Sequence, residues 1–247
     1  MKLDLCFSPE LLPLYDLTGQ TAVIVDVLRA SSTIVTALAA GVTHVFPVAS
    51  LAECAALGRA TGCLTAAERD GRPAPGFGLG NSPFEYLDPA RPVAGRALAL
   101  STTNGTRALQ ASLAAADVVV GTFLNLSAVA DFARRQRRDV LVVCAGWKGR
   151  FCLEDTVFGG ALAARLAPDF DISSSDATLA ALHLWQQAQA DLPAYLLQSA
   201  HVRRLNSLEA SQDFAFCTEV DRYPDVLPVW RGDRLVAAHP PGQGSER

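Results

Sequence analysis

Acidic and guanidinium side chains recur where apolar runs of this chain break into small polar residues. Asp26 lies near the end of the run Thr21 to Val27 and is followed by Arg29, Ser31 and Ser32. Arg96 to Leu100 gives way to Ser101–Thr102–Thr103–Asn104–Gly105–Thr106–Arg107, and the Val-rich run Asp139 to Ala145 leads through Gly146 to Arg150, Glu154 and Asp155. A Gly- and Pro-rich stretch between them carries Glu68, Arg69, Asn81 and Ser82. Hard carboxylates suit Mg²⁺, whereas guanidinium forks and the unpaired N–H groups of helix starts suit the oxygens of a polyanion. Together they describe phosphoryl chemistry, in which a cation and guanidinium groups stabilise charge on the transferring group. The candidate metal ligands are Asp26, Glu68, Glu154 and Asp155, and the candidate catalytic groups are Asp26, Arg29, Arg107, Cys144 and Arg150. Ser31, Ser32, Arg69, Asn81, Ser82, Thr102, Thr103, Asn104, Gly105, Thr106 and Asn125 are the candidate substrate-binding residues.

Each motif has a plainer reading. Thr103 or Asn104 could simply cap a helix, with Gly105 relieving a turn and Arg107 in solvent. Cys144 and Arg150 have the spacing of a cysteine-dependent phosphatase loop, but Phe151 stands where such a loop carries Ser or Thr, and Trp147 is bulky for a phosphate cradle. Water, the Cys144 thiolate and the Asp26 carboxylate therefore all stand as nucleophiles; against Asp26, Leu28 occupies the second position of a paired-aspartate motif. His44, His183, His201 and His239 fall outside the polar turns, which disfavours a Ser-His-Asp hydrolase.

The elements that must position these residues alternate strand and helix. Leu3 to Phe7, Thr21 to Val27, Val42 to Val48, Asp117 to Gly121 and Asp139 to Ala145 read as strands. Thr33 to Ala40, Ser50 to Ala60, Asn125 to Arg135 and Thr156 to Leu166 read as helices, so the fold class is α/β with a mixed, largely parallel sheet between two helical layers. Cys63 to Asp88 reads as one long ordered loop, anchored by Phe77, Leu79 and Phe84. Segments near 21–60 and 96–135 match at an offset of 75 residues, Leu38 falling on Leu113 and Val45 on Val120, which suggests two similar βαβ-type halves. Ser173 to Gln189 and Pro193 to Asn206 read as further helices, and Arg231–Gly232–Asp233 as a hairpin turn between apolar stretches. Residues 1–238 are expected to form a single unit, and 239–247 a frayed tail.

A chain of 247 residues that is half apolar can bury a large core, and a net charge of −4 without a basic cluster argues against nucleic acid as partner. The run Arg134–Arg135–Gln136–Arg137–Arg138 is expected at a solvated helix end. Six scattered cysteines lack knuckle or redox spacing and read as reduced and mainly buried. With no signal core and no apolar run of membrane-spanning length, a cytoplasmic protein without membrane contact is expected.

In combination, Asp26–Val–Leu–Arg29–Ala–Ser–Ser32, Glu68–Arg69–Asp70–Gly71, Leu79–Gly80–Asn81–Ser82–Pro83–Phe–Glu85, Thr102 to Arg107, and Cys144–Ala–Gly through Gly149–Arg150 to Glu154–Asp155 resemble the 2-phosphosulfolactate phosphatase family over about residues 3 to 237. That resemblance implies a three-layer α/β/α fold, a homodimer and a Mg²⁺-dependent phosphatase. Its substrate would be a small phosphorylated hydroxy acid, 2-phospho-3-sulfolactate, hydrolysed to sulfolactate and phosphate in coenzyme M biosynthesis. Cys152 departs from the pattern, which leads one to expect Ser there. The alternative from a different class is a non-catalytic protein that binds a phosphorylated or sulfonated metabolite through the same turns.

Overall fold

The computed structural model describes residues 1–206 and 211–238. Strands β1 (Leu3–Cys6) and β2 (Thr21–Val25) precede helix α1 (Ala30–Ala39), β3 (Val45–Pro47), α2 (Leu51–Thr61), β4 (Leu64–Arg69), β5 (Arg72–Pro73) and α3 (Phe84–Leu87). There follow β6 (Leu98–Ser101), α4 (Gly105–Ala111), β7 (Asp117–Gly121), α5 (Leu126–Gln136), β8 (Val140–Cys144) and α6 (Leu153–Leu166). Helices α7 (Asp176–Ala188), α8 (Leu192–Leu196), α9 (Ala200–Asn206) and α10 (Ser211–Cys217) lead to the hairpin β9 (Leu227–Arg231) and β10 (Arg234–Ala238). The strands form one sheet in the order β1-β8-β2-β7-β9-β10-β3-β6-β4-β5.

That order splits into two parallel sets. β1, β8, β2 and β7 run together, as do β3, β6 and β4, and the antiparallel β9–β10 hairpin sits between them. Because β7 opposes β9 and β10 opposes β3, the two sets run in opposite directions. The connection β2-α1-β3 crosses from the first set to the second, and β6-α4-β7 crosses back. The two helix starts meet at the crossing: a Cβ on Gly105 would lie 2.7 Å from Ala30 Cβ and 2.8 Å from Asp26 Oδ2. Only glycine permits that approach.

The central strands are buried on both faces, so their side chains alternate between two cores. Val23, Val25, Val140 and Val142 join a core with α5 to α9, while Ala22, Ile24, Leu141 and Val143 join one with α1 and α4. Helices cover both faces, giving the three-layer α/β/α arrangement expected from the sequence. Several local expectations hold. Ser50 Oγ caps α2 by accepting from Glu53 N at 3.1 Å, α5 ends with Arg137 in the left-handed region at φ 54°, and residues 232–233 turn the final hairpin. No described helix is long and apolar enough to cross a membrane.

Three expectations need correction. Cys63 to Asp88 is not one loop: its first part is β4, paired in parallel with β6 from Leu64↔Leu98 to Ala67↔Ser101. The alternation of small apolar residues in Leu64 to Ala67 was masked by the Gly and Pro that follow. The helix read over Pro193 to Asn206 is divided into α8 and α9, with residues 197–199 between them in neither. The strand read over Val42 to Val48 shortens to β3, because Val42 N and Thr43 N bond to the carbonyls of Ala37 and Arg96 in the turn. The tail 239–247 lies outside the described residues.

Helix α6, which carries Glu154 and Asp155, is pressed against the sheet and α7 through two glycines. A Cβ on Gly159 would strike Leu5, and one on Gly160 would strike the carbonyl of Ala181 in α7. A backbone carbonyl cannot rotate aside as a side-chain tip can, so Gly160→Ala is expected to cost about 1–3 kcal/mol. A fall in the urea midpoint without a change in slope is the expected result; an unchanged midpoint would contradict this packing.

Candidate active site

The sheet's crossing point, the loop after β4 and helix α9 border a small cavity of about 20 Å³ lined by Asp26, Arg29, Glu68, Asn81, Asn104 and His201, with Leu28, Gly71, Trp147 and Leu205. Ligands in α/β sheets gather beyond the carboxyl ends of strands, and Asp26 and Glu68 lie at such ends of β2 and β4.

Asp26 is fixed by the turn between β2 and α1. Its N–H donates to Ser31 Oγ at 2.9 Å, and its carbonyl accepts from Ser31 N at 2.9 Å. Its carboxyl group is buried, and burial above all, with the charges of Glu68 and Glu154 against that of His201, pushes its pKa up to about 6. Glu68 accepts from Gly71 N at 2.5 Å and from Thr103 N and Oγ1 at 3.3 Å. Glu154, on the first turn of α6, accepts from Ser199 Oγ at 3.0 Å and pairs with His201 Nδ1 at 2.5 Å. Burial alone would raise Glu154, but those partners hold it below its ordinary value. Asp155 accepts from Val27 N at 2.9 Å and Gly146 N at 3.1 Å, bracing the β2 and β8 turns against α6. Burial, then the charges of Glu154 and Asp26, raise it well above the carboxylate range.

The guanidinium groups divide differently from the sequence expectation. Arg29 is buried in the pocket wall, bonded to Asp213 Oδ2 at 2.5 Å and Gly71 O at 2.8 Å, while Ser82 Oγ donates to Asp213 Oδ1 at 2.6 Å. Arg69 clamps β4 to β6 through Ser101 O and Oγ. Arg107 lies outside the pocket in an exposed ion pair with Glu10 at 2.6 Å. Arg150 is exposed and lines an adjoining cavity instead.

Several expected substrate donors belong to the scaffold. Ser32 Oγ donates to Val27 O at 2.8 Å, and Thr106 Oγ1 to Thr102 O at 3.0 Å, while Thr102 Oγ1 accepts from Thr106 N at 3.3 Å. The Asn125 amide is spent on Thr122 N, Val120 O and Val226 O. Thr103 gives its donors to Glu68 rather than leaving them free for an anion. Cys144 is wholly buried at the end of β8, and burial pushes its thiol well above the ordinary range, which is an inert rather than nucleophilic state.

Sequence reasoning missed His201, Asp213, Ser199 and Trp147. His201 and Ser199 reach Glu154 from α9 and the turn before it, and Trp147 stacks near His201 with ring centroids 5.4 Å apart. No local spacing announces contacts between residues more than 40 positions apart, and the lone histidine carried no signal of its own.

The donor set fits a divalent cation. Asp26 and Glu68 bring carboxylate oxygens to one pocket, and Asn81 Oδ1, in the same wall, is buried without a hydrogen-bond partner among the described residues. Beside it, Cys152, Glu154 and His201 each offer one ligand atom, all within 4.8 Å of one another. An orphaned oxygen next to crowded carboxylates is the pattern a bound cation resolves.

Fold and site thus define an α/β/α protein that keeps an acidic, cation-ready pocket beyond its strand ends. The family model for 2-phosphosulpholactate phosphatase matches residues 6–233. A Synechococcus protein is 43% identical over 90% of this chain and 93% of its own length. Others from a Cyanothece species (38%, covering 97% of this chain and 100% of the relative) and Thermotoga maritima (37%, 90% and 94%) are similar. All three are named "Probable 2-phosphosulfolactate phosphatase". The chain belongs to the 2-phosphosulfolactate phosphatase family.

The raised Asp26 has a measurable consequence in metal-free protein. Its folded pKa of about 6 exceeds the ordinary 3.8, so between these values the folded state keeps a proton that the unfolded state has lost. Stability contributed by this group is present below about pH 4 and falls as pH rises towards 6. In EDTA at pH 7, Asp26→Asn should therefore stabilise the protein, on the order of 1–3 kcal/mol, with the gain vanishing near pH 4. Urea unfolding at both pH values reads this, and a destabilised variant at pH 7 would be the contrary result.

Proposed function

We propose that the chain is a Mg²⁺-dependent phosphomonoester hydrolase that converts 2-phospho-3-sulfolactate and water to 3-sulfolactate and phosphate. The observation that carries this reading is the pocket that joins buried Asp26 and Glu68 to the unpaired Asn81 oxygen, in a chain whose relatives bear that activity in their names.

Asp26, Glu68 and Asn81 would hold the cation, with Glu154 close behind. When bound, Mg²⁺ supplies positive charge to the phosphate oxygens and makes the pocket hospitable to a dianion. The second carboxylate oxygen of Asp26 is suited to take a proton from the attacking water as the oxygen–phosphorus bond forms. His201 is suited to give a proton to the departing sulfolactate oxygen as the phosphorus–oxygen ester bond breaks. Its Nδ1 is occupied by ionised Glu154, which fixes the ring and leaves Nε2 to exchange that proton. Arg29, held by Asp213 and Gly71 O, supports the wall between the carboxylates, and Leu28, Trp147 and Leu205 limit water. Water rather than Cys144 is the nucleophile in this reading, since the thiol is buried and protonated. The protein would act as a cytoplasmic homodimer, which sedimentation equilibrium can check.

Phosphate release from 2-phospho-3-sulfolactate should require Mg²⁺, stop with EDTA and persist in Cys144→Ser. Asp26→Asn should lower kcat about 10²–10⁴-fold, the usual worth of a positioned base. Tight binding of the ester with no phosphate release in Mg²⁺ would favour a binding protein, and an inactive, folded Cys144→Ser variant would return the thiolate to consideration.

A further inference from the structure

Trp147 and His201 also line a second cavity, whose chemistry is the reverse of the first. It is larger, about 460 Å³, and Arg150, Arg203 and Arg204 line it with Gln198, while no carboxylate among the described residues does. Arg203 is exposed and steadied by an Nη1–H donated to Gln198 O at 2.6 Å. Arg204 stacks on the Trp147 ring at 4.6 Å, and Arg150 is set by the reciprocal Trp147 and Arg150 backbone bonds of 2.9 and 3.0 Å. A Cβ on Gly146 would collide with the Arg150 carbonyl, so the loop that aims Arg150 needs glycine at φ 62°.

The acidic pocket has no comparable provision for a second anion. Its lining includes one guanidinium, Arg29, whose Nη1 and Nη2 are engaged by Asp213 and Gly71 O. A bound cation there would serve phosphate oxygens, and a sulfonate, being a far weaker base, competes poorly for it. An ester that carries both groups therefore meets two linings of opposite charge that share Trp147 and His201.

We infer that the arginine-lined cavity is the subsite for the sulfonate, and that Arg150 and Arg203 select sulfonated phosphate esters over unsulfonated ones. The proposal rests on the phosphatase reading for its substrate and on the charge division of the two cavities for its location. Guanidinium groups bind sulfonate through paired N–H donors, and rim arginines also raise the capture rate of a polyanion.

The test compares 2-phospho-3-sulfolactate with 2-phospholactate, which lacks only the sulfonate, as substrates of the Mg²⁺-loaded full chain. In Arg150→Gln/Arg203→Gln, the ratio of kcat/KM for the sulfonated to the plain ester should fall about tenfold or more, chiefly through KM. A ratio within about twofold of the parent's, or an equal loss on both esters, overturns the proposal. Calorimetric titration with 3-sulfolactate gives a readout that needs no turnover: the double variant should bind about tenfold more weakly. Failure of the parent to hydrolyse either ester would refute the phosphatase reading alone, and the titration would then decide the subsite, unchanged affinity or no binding by the parent counting against it. Arg203→Gln alone, at an exposed position, serves if the double variant does not fold, with the same direction expected in both measurements.

Discussion

Buried carboxylates that repel one another are the constraint on which this structure turns. Asp26, Glu154 and Asp155 are all at least nine-tenths buried, and each of them is felt electrostatically by at least one of the others. In a low-dielectric interior, such a group of like charges cannot be fully ionised without either a cation or a proton to divide among them. The fold meets that demand partly with His201, which faces Glu154, and partly with raised proton affinity at Asp26 and Asp155. What remains unmet is an oxygen-rich pocket, a deficit that a divalent cation would meet. The stability given up to keep Asp26 in place is the price of a site suited to cations.

Much of the surrounding sequence exists to hold those carboxylates still. Glu68 takes three donors from Gly71 and Thr103, and Asp155 takes two backbone N–H groups from turns that follow different strands. The polar turns after β2, β6 and β8 therefore work largely on one another. Donors read in isolation as anion ligands prove to be bonded to acids or to backbone carbonyls of strands and turns. This also explains why positive charge withdraws to the rim: an inner guanidinium can be kept only if neutralised, as Asp213 neutralises Arg29.

The degree to which the sequence foretold this arrangement follows from the range of each interaction. Motifs complete within a few residues were legible: the Asp26 turn, the Ser50 cap, the two-faced β2 and β8 strands, and the hairpin near Gly232. Asp26 and Glu68 were both legible as acidic candidates, but the place of Glu68 at the end of β4 was hidden in a stretch that read as a loop. Contacts set by helix packing were not legible. Asp213 reaches Arg29 across 184 positions and His201 reaches Glu154 across 47, and nothing near either residue in the chain marks it as part of a site. Arg107 and Asn125 illustrate the opposite error. Their residue types and placement suited an anion, yet one turns outward to Glu10 and the other is consumed by the backbone it organises.

The crossing of β2-α1-β3 and β6-α4-β7 connects these observations. Each connection carries the chain from one parallel set to the oppositely directed one, so the starts of α1 and α4 converge although their strands lie on different halves of the sheet. At that convergence a side chain larger than hydrogen on residue 105 would push directly on Asp26. The pairing of β4 with β6 brings Thr103 within reach of Glu68, and the approach at Gly105 sets that pair beside Asp26. Glycine at position 105 is thus required less for a turn than for distance: its missing Cβ lets the second helix come close enough for donors from one half of the sheet to hold an acid from the β4 edge beside the acid of β2. Neither the turn after β2 nor the turn after β6 could assemble the carboxylate pair alone.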